Sequence, residues 1–333
     1  MNHTSPVRWG ILGTGNIARQ FARGLSQLPD AQLVAVGSRR QDTADAFGEQ
    51  FAVPRRYATY AQLAADPDVD VVYIATPHAS HEADTVLCLT NDKAVLCEKP
   101  FALSAAQAKR MIALARQRNL FLMEALWTRF LPAVREASAL VHAGAIGSLR
   151  MVQGDFGYRM KFDPDYLVFN PALGGGALLD VGVYPLSVAC HFLQPATAIT
   201  ATGVATMGQL DVDEQCAFTV SFSSGAIAVC SSATRTDTGQ EMLLWGDAGM
   251  IRLHAPFWKC EKLTLCPHGK PATEMLLPLS GNDGYHYEAA HIHECLRDGL
   301  TESLIMPLDE SLDILILMDA LRSQWGVRYP SED

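Results

Sequence analysis

From Val7 to about Met123 the chain alternates short apolar runs with segments of helical length, and this rhythm narrows the fold more than any other feature. The runs are Val7–Leu12, Gln32–Gly37, Val69–Ala75, Ala94–Cys97 and Leu120–Met123; helical spacing fills Gly15–Leu28, Thr43–Phe51, His78–Thr90 and Ser104–Arg118 between them. Strands this apolar need cover on both faces, and a parallel neighbour is reached only through a crossover of roughly a dozen residues or more, which the helical segments supply. The expectation is an α/β chain that opens on a doubly wound parallel sheet of the Rossmann type over residues 1–125.

After Trp127 the rhythm changes. A helical stretch around Leu131–His142 leads to a strand-like Leu149–Tyr158, then to Gly174-Gly175-Gly176 and a helix reaching about Phe192. The β-rich runs Ala198–Met207, Gln215–Phe222, Ala226–Ala233, Glu241–Trp245 and Met250–Leu253 follow at short spacing, which favours antiparallel hairpins. Helices at Tyr285–Arg297 and Asp309–Gln324 close the chain. Since 333 residues exceed what one core usually fills, residues 126–333 are expected to form an α+β domain with an open, mainly antiparallel sheet. Alternation of Cys216, Phe218, Val220 and Phe222 with Ala217, Thr219 and Ser221 gives that sheet one apolar face and one small, mildly polar face suited to a second copy of the chain.

Gly13-Thr14-Gly15-Asn16-Ile17-Ala18 follows the first strand directly and opens a helix, the context that a dinucleotide-binding fingerprint requires. Gly13 permits a tight turn, Gly15 lets the backbone approach a pyrophosphate, and Ala18 lets helix and strand pack closely. The N-terminal N–H groups of that helix are then available to phosphate. At the end of the second strand, Val36-Gly37 runs into Ser38-Arg39-Arg40 rather than the carboxylate that usually binds the ribose hydroxyls of NAD. A hydroxyl and guanidinium groups suit a 2′-phosphate, so NADP is expected over NAD.

Glu98-Lys99-Pro100 ends another strand on the edge where open α/β sheets bind ligands, and the proline biases Lys99 toward an extended backbone. The formal charge of −10 is scattered, with no basic cluster for nucleic acid. No stretch reads as the roughly 20 continuous apolar residues of a membrane span, and Met-Asn-His-Thr-Ser-Pro opens the chain without a signal-peptide core. The eight cysteines form no C-x-x-C pair, which points to reduced thiols and a cytoplasmic protein. His78/His81 and His291/His293 lack the spacing of a zinc helix, and no metal is assigned.

Four stretches taken together resemble the glucose-fructose oxidoreductase/inositol dehydrogenase/MocA-like (Gfo/Idh/MocA) family: the run from Trp9 to Ala18, Ala75-Thr76-Pro77-His78-Ala79-Ser80-His81, Glu98-Lys99-Pro100, and the run from Gly174 to Pro185. Within it, the run from Met123 to Pro132 looks most like the branch containing dimeric dihydrodiol dehydrogenase and NADP-dependent D-xylose dehydrogenase. The resemblance implies a cofactor site drawn from Gly13, Thr14, Gly15, Asn16, Ile17, Ser38, Arg39, Arg40, Thr76, Pro77, His81, Glu98 and Lys99. It implies a catalytic pair of Lys99 and Tyr184, the latter standing where many relatives carry histidine. Asp180, four residues before Tyr184, shares its helix face and would orient the lysine or a substrate hydroxyl. A tyrosine with an ordinary pKa of about 10 becomes a base near neutrality only beside a cation such as Lys99.

Trp127, Phe156, Phe257, Trp258 and Tyr285 are candidates for an aromatic wall around substrate, with Trp127 and Phe156 foremost, while His78 and His191 have no assigned role. The implied activity is hydride transfer between NADP and a sugar-like or alicyclic alcohol, either D-xylose or a related aldose or a trans-dihydrodiol, by a homodimer or higher homo-oligomer. The rival readings are a catalytically silent NADP(H)-binding sensor and a carbohydrate-binding protein without cofactor.

Overall fold

A computed structural model of the chain describes residues 5–195, 197–281 and 283–330, so the opening residues 1–4, read as leading straight into a strand, lie outside the described residues. Two compact units emerge. Unit 1 comprises Met1–Ala102, Ala106–Trp127 and Ser280–Ser311; unit 2 comprises Leu103–Ala105, Thr128–Leu279 and Leu312–Asp333.

Unit 1 begins β1 (Val7–Leu12), α1 (Asn16–Leu25), β2 (Ala31–Gly37), α2 (Gln41–Phe51), β3 (Arg55–Tyr57) and α3 (Tyr60–Ala64). It continues with β4 (Val71–Ile74), α4 (His81–Thr90), β5 (Ala94–Glu98), α5 (Ala105–Arg118) and β6 (Leu122–Ala125). All six strands run parallel in the order β3-β2-β1-β4-β5-β6. Every residue of β4, β5 and β6 is buried, as strands covered by helices on both faces must be. The order reverses between β1 and β4, which makes their carboxyl ends the topological switch point where such sheets bind ligands.

Unit 2 contains α6 (Pro132–His142), β7 (Leu149–Gly157), α7 (Val183–Leu193), β8 (Ala198–Met207), β9 (Asp213–Phe222) and β10 (Ile227–Ala233). Four further strands follow, β11 (Met242–Gly246), β12 (Gly249–Leu253), β13 (Lys262–Pro267) and β14 (Thr273–Leu276). The eight strands lie in the order β14-β13-β12-β11-β7-β10-β9-β8, antiparallel throughout except for the parallel pair β7 and β10. The alternation in β9 is found as expected, with Cys216, Phe218, Val220 and Phe222 buried and Gln215, Ala217 and Thr219 exposed. The core side is filled by α7, whose residues Val183–Cys190 are all buried.

The last helices are α8 (Tyr285–Arg297) and α9 (Leu308–Trp325). The split into 1–125 and 126–333 departs from this division at Ser280–Ser311, which belongs to unit 1 because α8 packs on α1 and β1. A Cβ on Gly24 would lie 3.0 Å from that of Tyr285, and Trp9 Nε1 donates to His293 Nε2 at 2.9 Å. A second departure concerns hydropathy: the helical stretch Pro171–Leu193 is long and apolar enough to cross a bilayer, with a mean hydropathy of 1.4, yet 89% of that window is buried inside the fold. Glycines and Asp180 interrupt its apolar run. The eight cysteines are reduced thiols, seven buried and Cys266 half-buried.

Asp213, at the start of β9, is fully buried; its Oδ2 accepts the Leu178 N–H at 2.7 Å and its Oδ1 has no hydrogen-bond partner among the described residues. Burial, offset only in part by the backbone N–H groups of Leu178 and its neighbours, raises the carboxyl to about 7. A folded-state pKa above the unfolded value of about 3.9 gives a stability contribution that is complete below that value and lost as pH rises through the folded one. Asp213→Asn keeps an acceptor for Leu178 but cannot ionise. Its stability relative to that of the wild type, followed as the difference in melting temperature, should therefore rise between about pH 5 and pH 8, with an upper bound on the order of 3 kcal/mol. An unchanged difference at the two pH values would refute the assignment.

Candidate active site

The nucleotide loop of unit 1 is built by one close approach. Gly13 follows β1 with φ of 99°, and a Cβ on it would lie 2.4 Å from the Ala75 carbonyl oxygen at the end of β4. Only glycine accepts both the dihedral and the contact. Gly13 N donates to Gly37 O at 2.9 Å and Ala75 N to Leu12 O at 2.8 Å, so the loop is tied to both neighbouring strands. Around Gly15 the surroundings are the opposite: a Cβ there would meet nothing within 4 Å. Gly15 caps α1 from an extended conformation, with no side-chain cap and no acid in the first turn, so the N–H groups at the helix start face open space. That cradle fits a pyrophosphate. Thr14 and Ile17 are half-buried beside it, and Asn16 is exposed.

At the end of β2, Ser38 is buried with its hydroxyl 2.6 Å from that of Thr43. Arg39 is exposed, and its charge acts on Tyr60 and Asp84. Arg40 engages Asp42, with Nε 2.9 Å from Oδ1 and a second contact from Nη2 to Oδ2, an exposed pair that is weak in water. At the end of β4, the Thr76 hydroxyl donates to Asp84 at 2.7 Å and Pro77 begins a single turn of 3₁₀ helix over His78–Ser80.

Lys99 ends β5 half-buried. Before it, the Glu98 carboxylate takes the Tyr73 hydroxyl and, at 3.2 Å, the Lys99 N–H. Glu288, on α8, is fully buried, and neither of its carboxyl oxygens is hydrogen-bonded among the described residues. Burial, and then the nearby Glu98, push it well above the usual carboxylate range.

In unit 2, Asp180 and Tyr184 belong to one helical stretch, but Leu178–Gly182 forms a wide π turn before α7 begins. Such turns occur frequently at functional sites. The Tyr158 hydroxyl donates to Asp180 Oδ2 at 2.9 Å. Phe156 lies 5.4 Å from the Tyr184 ring and stacks on Trp258 at 5.2 Å with an interplanar angle of 3°. Trp258 Nε1 is held by Gln240 Oε1 at 3.2 Å, and Gln240 Nε2 by the Gly157 carbonyl at 2.8 Å. Asp180, Tyr158 and Tyr184 with this flat wall form a surface that combines hydroxyl-binding groups and an apolar plane.

Residues 7–126 match the family described as oxidoreductase family, NAD-binding Rossmann fold, and residues 134–252 match the GFO/IDH/MocA C-terminal domain. The trans-1,2-dihydrobenzene-1,2-diol dehydrogenase of Xenopus tropicalis is 35% identical over 332 residues, which cover 97% of this chain and 99% of that one. The chain belongs to the Gfo/Idh/MocA oxidoreductase family. The human dihydrodiol dehydrogenase is 34% identical over 335 residues, covering 98% of this chain and 99% of its own. An aldose-aldose oxidoreductase from Caulobacter crescentus, solved with glycerol, superposes with a TM-score of 0.86 at 27% identity, covering 96% of this chain and 98% of the other. A 3-ketoreductase from Actinomadura kijaniata, solved with NADP and TDP-benzene, gives 0.85 at 27%, with the same coverage.

Within this Gfo/Idh/MocA chain the residues named from sequence divide by unit. Gly13 to Ile17, Ser38 to Arg40, Thr76, Pro77, His81, Glu98, Lys99 and Trp127 belong to unit 1; Phe156, Asp180 and Tyr184 belong to unit 2. Three of them are placed differently from a ligand-contact reading. His81 is fully buried, with Nδ1 2.8 Å from Pro100 O and Nε2 3.0 Å from Thr76 O. Burial outweighs these two carbonyls and lowers it to about 4, so the ring is neutral; its single N–H donates to one of the two carbonyls, and both ring nitrogens face backbone instead of pointing outward. The Glu98 carboxylate is likewise taken up by Tyr73 and by its own chain. Trp127, 2% exposed, stacks on Tyr285 at 4.5 Å within unit 1, whereas Phe156, Phe257 and Trp258 lie in unit 2, so the five aromatics are two groups.

His191 bonds Ser138 Oγ at 2.8 Å, His293 accepts from Trp9, and His291 lies 2.8 Å from Ser303 Oγ; each of these rings has a local structural partner. Tyr158 was missed. Its signal was available in the sequence, two residues beyond Phe156 and hence on the same side of an extended chain.

Proposed function

We propose that this oxidoreductase is an NADP-dependent dehydrogenase of sugar-like or alicyclic alcohols, with neighbouring hydroxyls on a six-membered ring shared by trans-dihydrodiols and the pyranose form of D-xylose and related aldoses. The observation that carries this reading is the surface of unit 2 on which Tyr184 and Asp180 adjoin the parallel Phe156 and Trp258 rings. The rings suit the apolar face of a six-membered ring, and the carboxylate and phenol suit its hydroxyls. Full-length relatives named dihydrodiol dehydrogenases, and an aldose oxidoreductase among the structural neighbours, support the substrate class.

NADP, when bound, supplies the hydride acceptor. The first turn of α1 and the loop from Gly13 to Ile17 hold the pyrophosphate, Ser38 and Arg39 recognise the 2′-phosphate, Arg40 adds charge once drawn from Asp42, and Thr76 and Pro77 line the same edge. Tyr184 takes the proton of the substrate hydroxyl, and the Lys99 ammonium stabilises the phenolate that makes this possible. Asp180 accepts from a neighbouring hydroxyl and orients the ring. We also read the reduced thiols as those of a cytoplasmic protein.

Three measurements test this reading. Tyr184→Phe should lower kcat about 10²–10⁴-fold on trans-dihydrodiols or aldoses while NADPH affinity stays near wild type, and Lys99→Met should do so comparably. The double variant should be barely worse than either single one, since the residues act as one unit; losses that multiply would separate them. Arg39→Ala should raise the Michaelis constant for NADP roughly ten- to a hundred-fold and leave that for NAD unchanged. Equal effects on both cofactors would remove Arg39 from the 2′-phosphate.

Finally, the open face of the unit 2 sheet exposes Met151 (38%), Val204 (73%), Ile227 (43%) and Trp245 (39%), and we propose that it pairs with a second copy. Sedimentation at micromolar concentration should show a dimer that Val204→Glu weakens; a wild-type monomer would sink the assignment.

A further inference from the structure

Unit 2 brings two tyrosines to the Asp180 turn, and their surroundings divide the work between them. Tyr158 follows the end of β7, where the backbone is pinned on both sides. Its own N–H donates to Ala233 O at 3.0 Å, and a Cβ on the preceding Gly157 would lie 2.5 Å from the Thr238 methyl. The Gln240 amide, at 2.8 Å from Gly157 O, and Asp155, which accepts the Gln240 N–H at 2.7 Å, fix that strand end from the other side. The hydroxyl therefore reaches Asp180 Oδ2 from a rigid base, at 2.9 Å and half-buried.

The geometry points to Tyr158 as a positioning residue: its hydroxyl holds the Asp180 carboxylate in the orientation from which Asp180 meets substrate, while the proton of the reaction is handled at Tyr184. This rests on the roles given above to Asp180 and Tyr184. A charge-assisted O–H to carboxylate bond fixes both distance and direction, which a freely rotating aspartate would lack. Burial first, and then the charge of Asp180 and its hydrogen bond, push the Tyr158 phenol well above its ordinary value, so it remains a donor and does not compete with Tyr184 as a base. Its ring also meets Phe156, at 6.2 Å between centroids, which links the carboxylate to the aromatic wall.

The test is a double-mutant cycle on the full-length enzyme with NADP and a trans-dihydrodiol or aldose. Tyr158→Phe keeps the ring and removes only the donor. It should lower kcat/KM roughly tenfold or more, with the Michaelis constant for NADP unchanged, because the loss falls on substrate orientation. In the Asp180→Ala background the same substitution should change kcat/KM less than about twofold, because the acceptor of the hydroxyl is gone. Losses that multiply, or a Tyr158→Phe enzyme within twofold of wild type, would overturn the proposal.

If Tyr158→Phe fails to fold, 3-fluorotyrosine introduced at position 158 keeps the hydroxyl, and its fluorine resonance should shift on Asp180→Asn; an unmoved resonance would also overturn the assignment. A Tyr184→Phe enzyme with full turnover would sink the proposed function instead, which separates the two failures.

Discussion

A Cβ on Gly13 would stand 2.4 Å from the carbonyl oxygen of Ala75, and that single contact orders the carboxyl edge of the whole unit 1 sheet. It fixes how closely the turn after β1 crosses the end of β4, which sets where α1 starts and where its uncapped N–H groups lie. Because β1 sits between β2 and β4, the same register presents Ser38 to Arg40 on one side and Thr76-Pro77 on the other. Strand β5 is next in line and carries Glu98-Lys99. The neutral, buried His81 then lies between the Thr76 and Pro100 carbonyls and donates its one N–H to one of them, so the contact beside the site is to backbone and not an exposed ion pair. Such interactions keep their geometry when salt or ligand changes, unlike the Arg40–Asp42 pair at the surface.

Unit 2 uses a different device for a similar end. The stretch that bears Asp180 and Tyr184 starts at glycines, where Gly176 has φ of 115° and a Cβ would lie 2.4 Å from Asp213 Oδ1. Asp213 therefore caps the stretch from β9, a neighbouring strand, and no residue of the helix does so itself. An uncapped, buried helix start would leave N–H groups without water or partner, a cost comparable to lost hydrogen bonds. A buried carboxyl removes that cost and introduces one of its own, which is why its titration is displaced. The tyrosine-bearing helix is thereby anchored at its first turn to the sheet that forms its floor.

The fold class was legible because both of its periodicities are local. Five of the six parallel strands and the alternation in β9 could be read from runs of a few residues. What escaped was short or distant. Strand β3 spans three residues and α3 five, too few to show a period. Strands β13 and β14 lie at a half-exposed edge, where apolar residues are not required. The parallel pairing of β7 with β10, and the return of α8 to the first unit, join segments far apart in sequence, and only tertiary packing decides them.

The site shows the same limit. The glycines, Lys99, Asp180 and Tyr184 stood out by motif, but whether His81, Glu98 and Trp127 face outward or inward depends on partners that no spacing encodes: Pro100 O, the Tyr73 hydroxyl and the Tyr285 ring.

Electrostatics make the point that net charge and local charge answer different questions. The chain carries −10 overall, which would seem to oppose an anionic dinucleotide. In unit 1, however, three of the acids are inside: burial raises Glu288 and Asp84, and the Glu98 carboxylate accepts the Tyr73 hydroxyl and the Lys99 N–H. Arg39 remains exposed at the same sheet edge, and Arg40 adds a guanidinium held only by a surface carboxylate. Burial biases Glu288 and Asp84 toward the neutral form, which carries little field, while exposed guanidinium groups keep a charge that is felt within a Debye length of about 10 Å. The carboxyl edge of unit 1 can therefore attract a phosphate within an acidic protein, because Arg39 and Arg40 face solvent there while Glu98, Asp84 and Glu288 are buried.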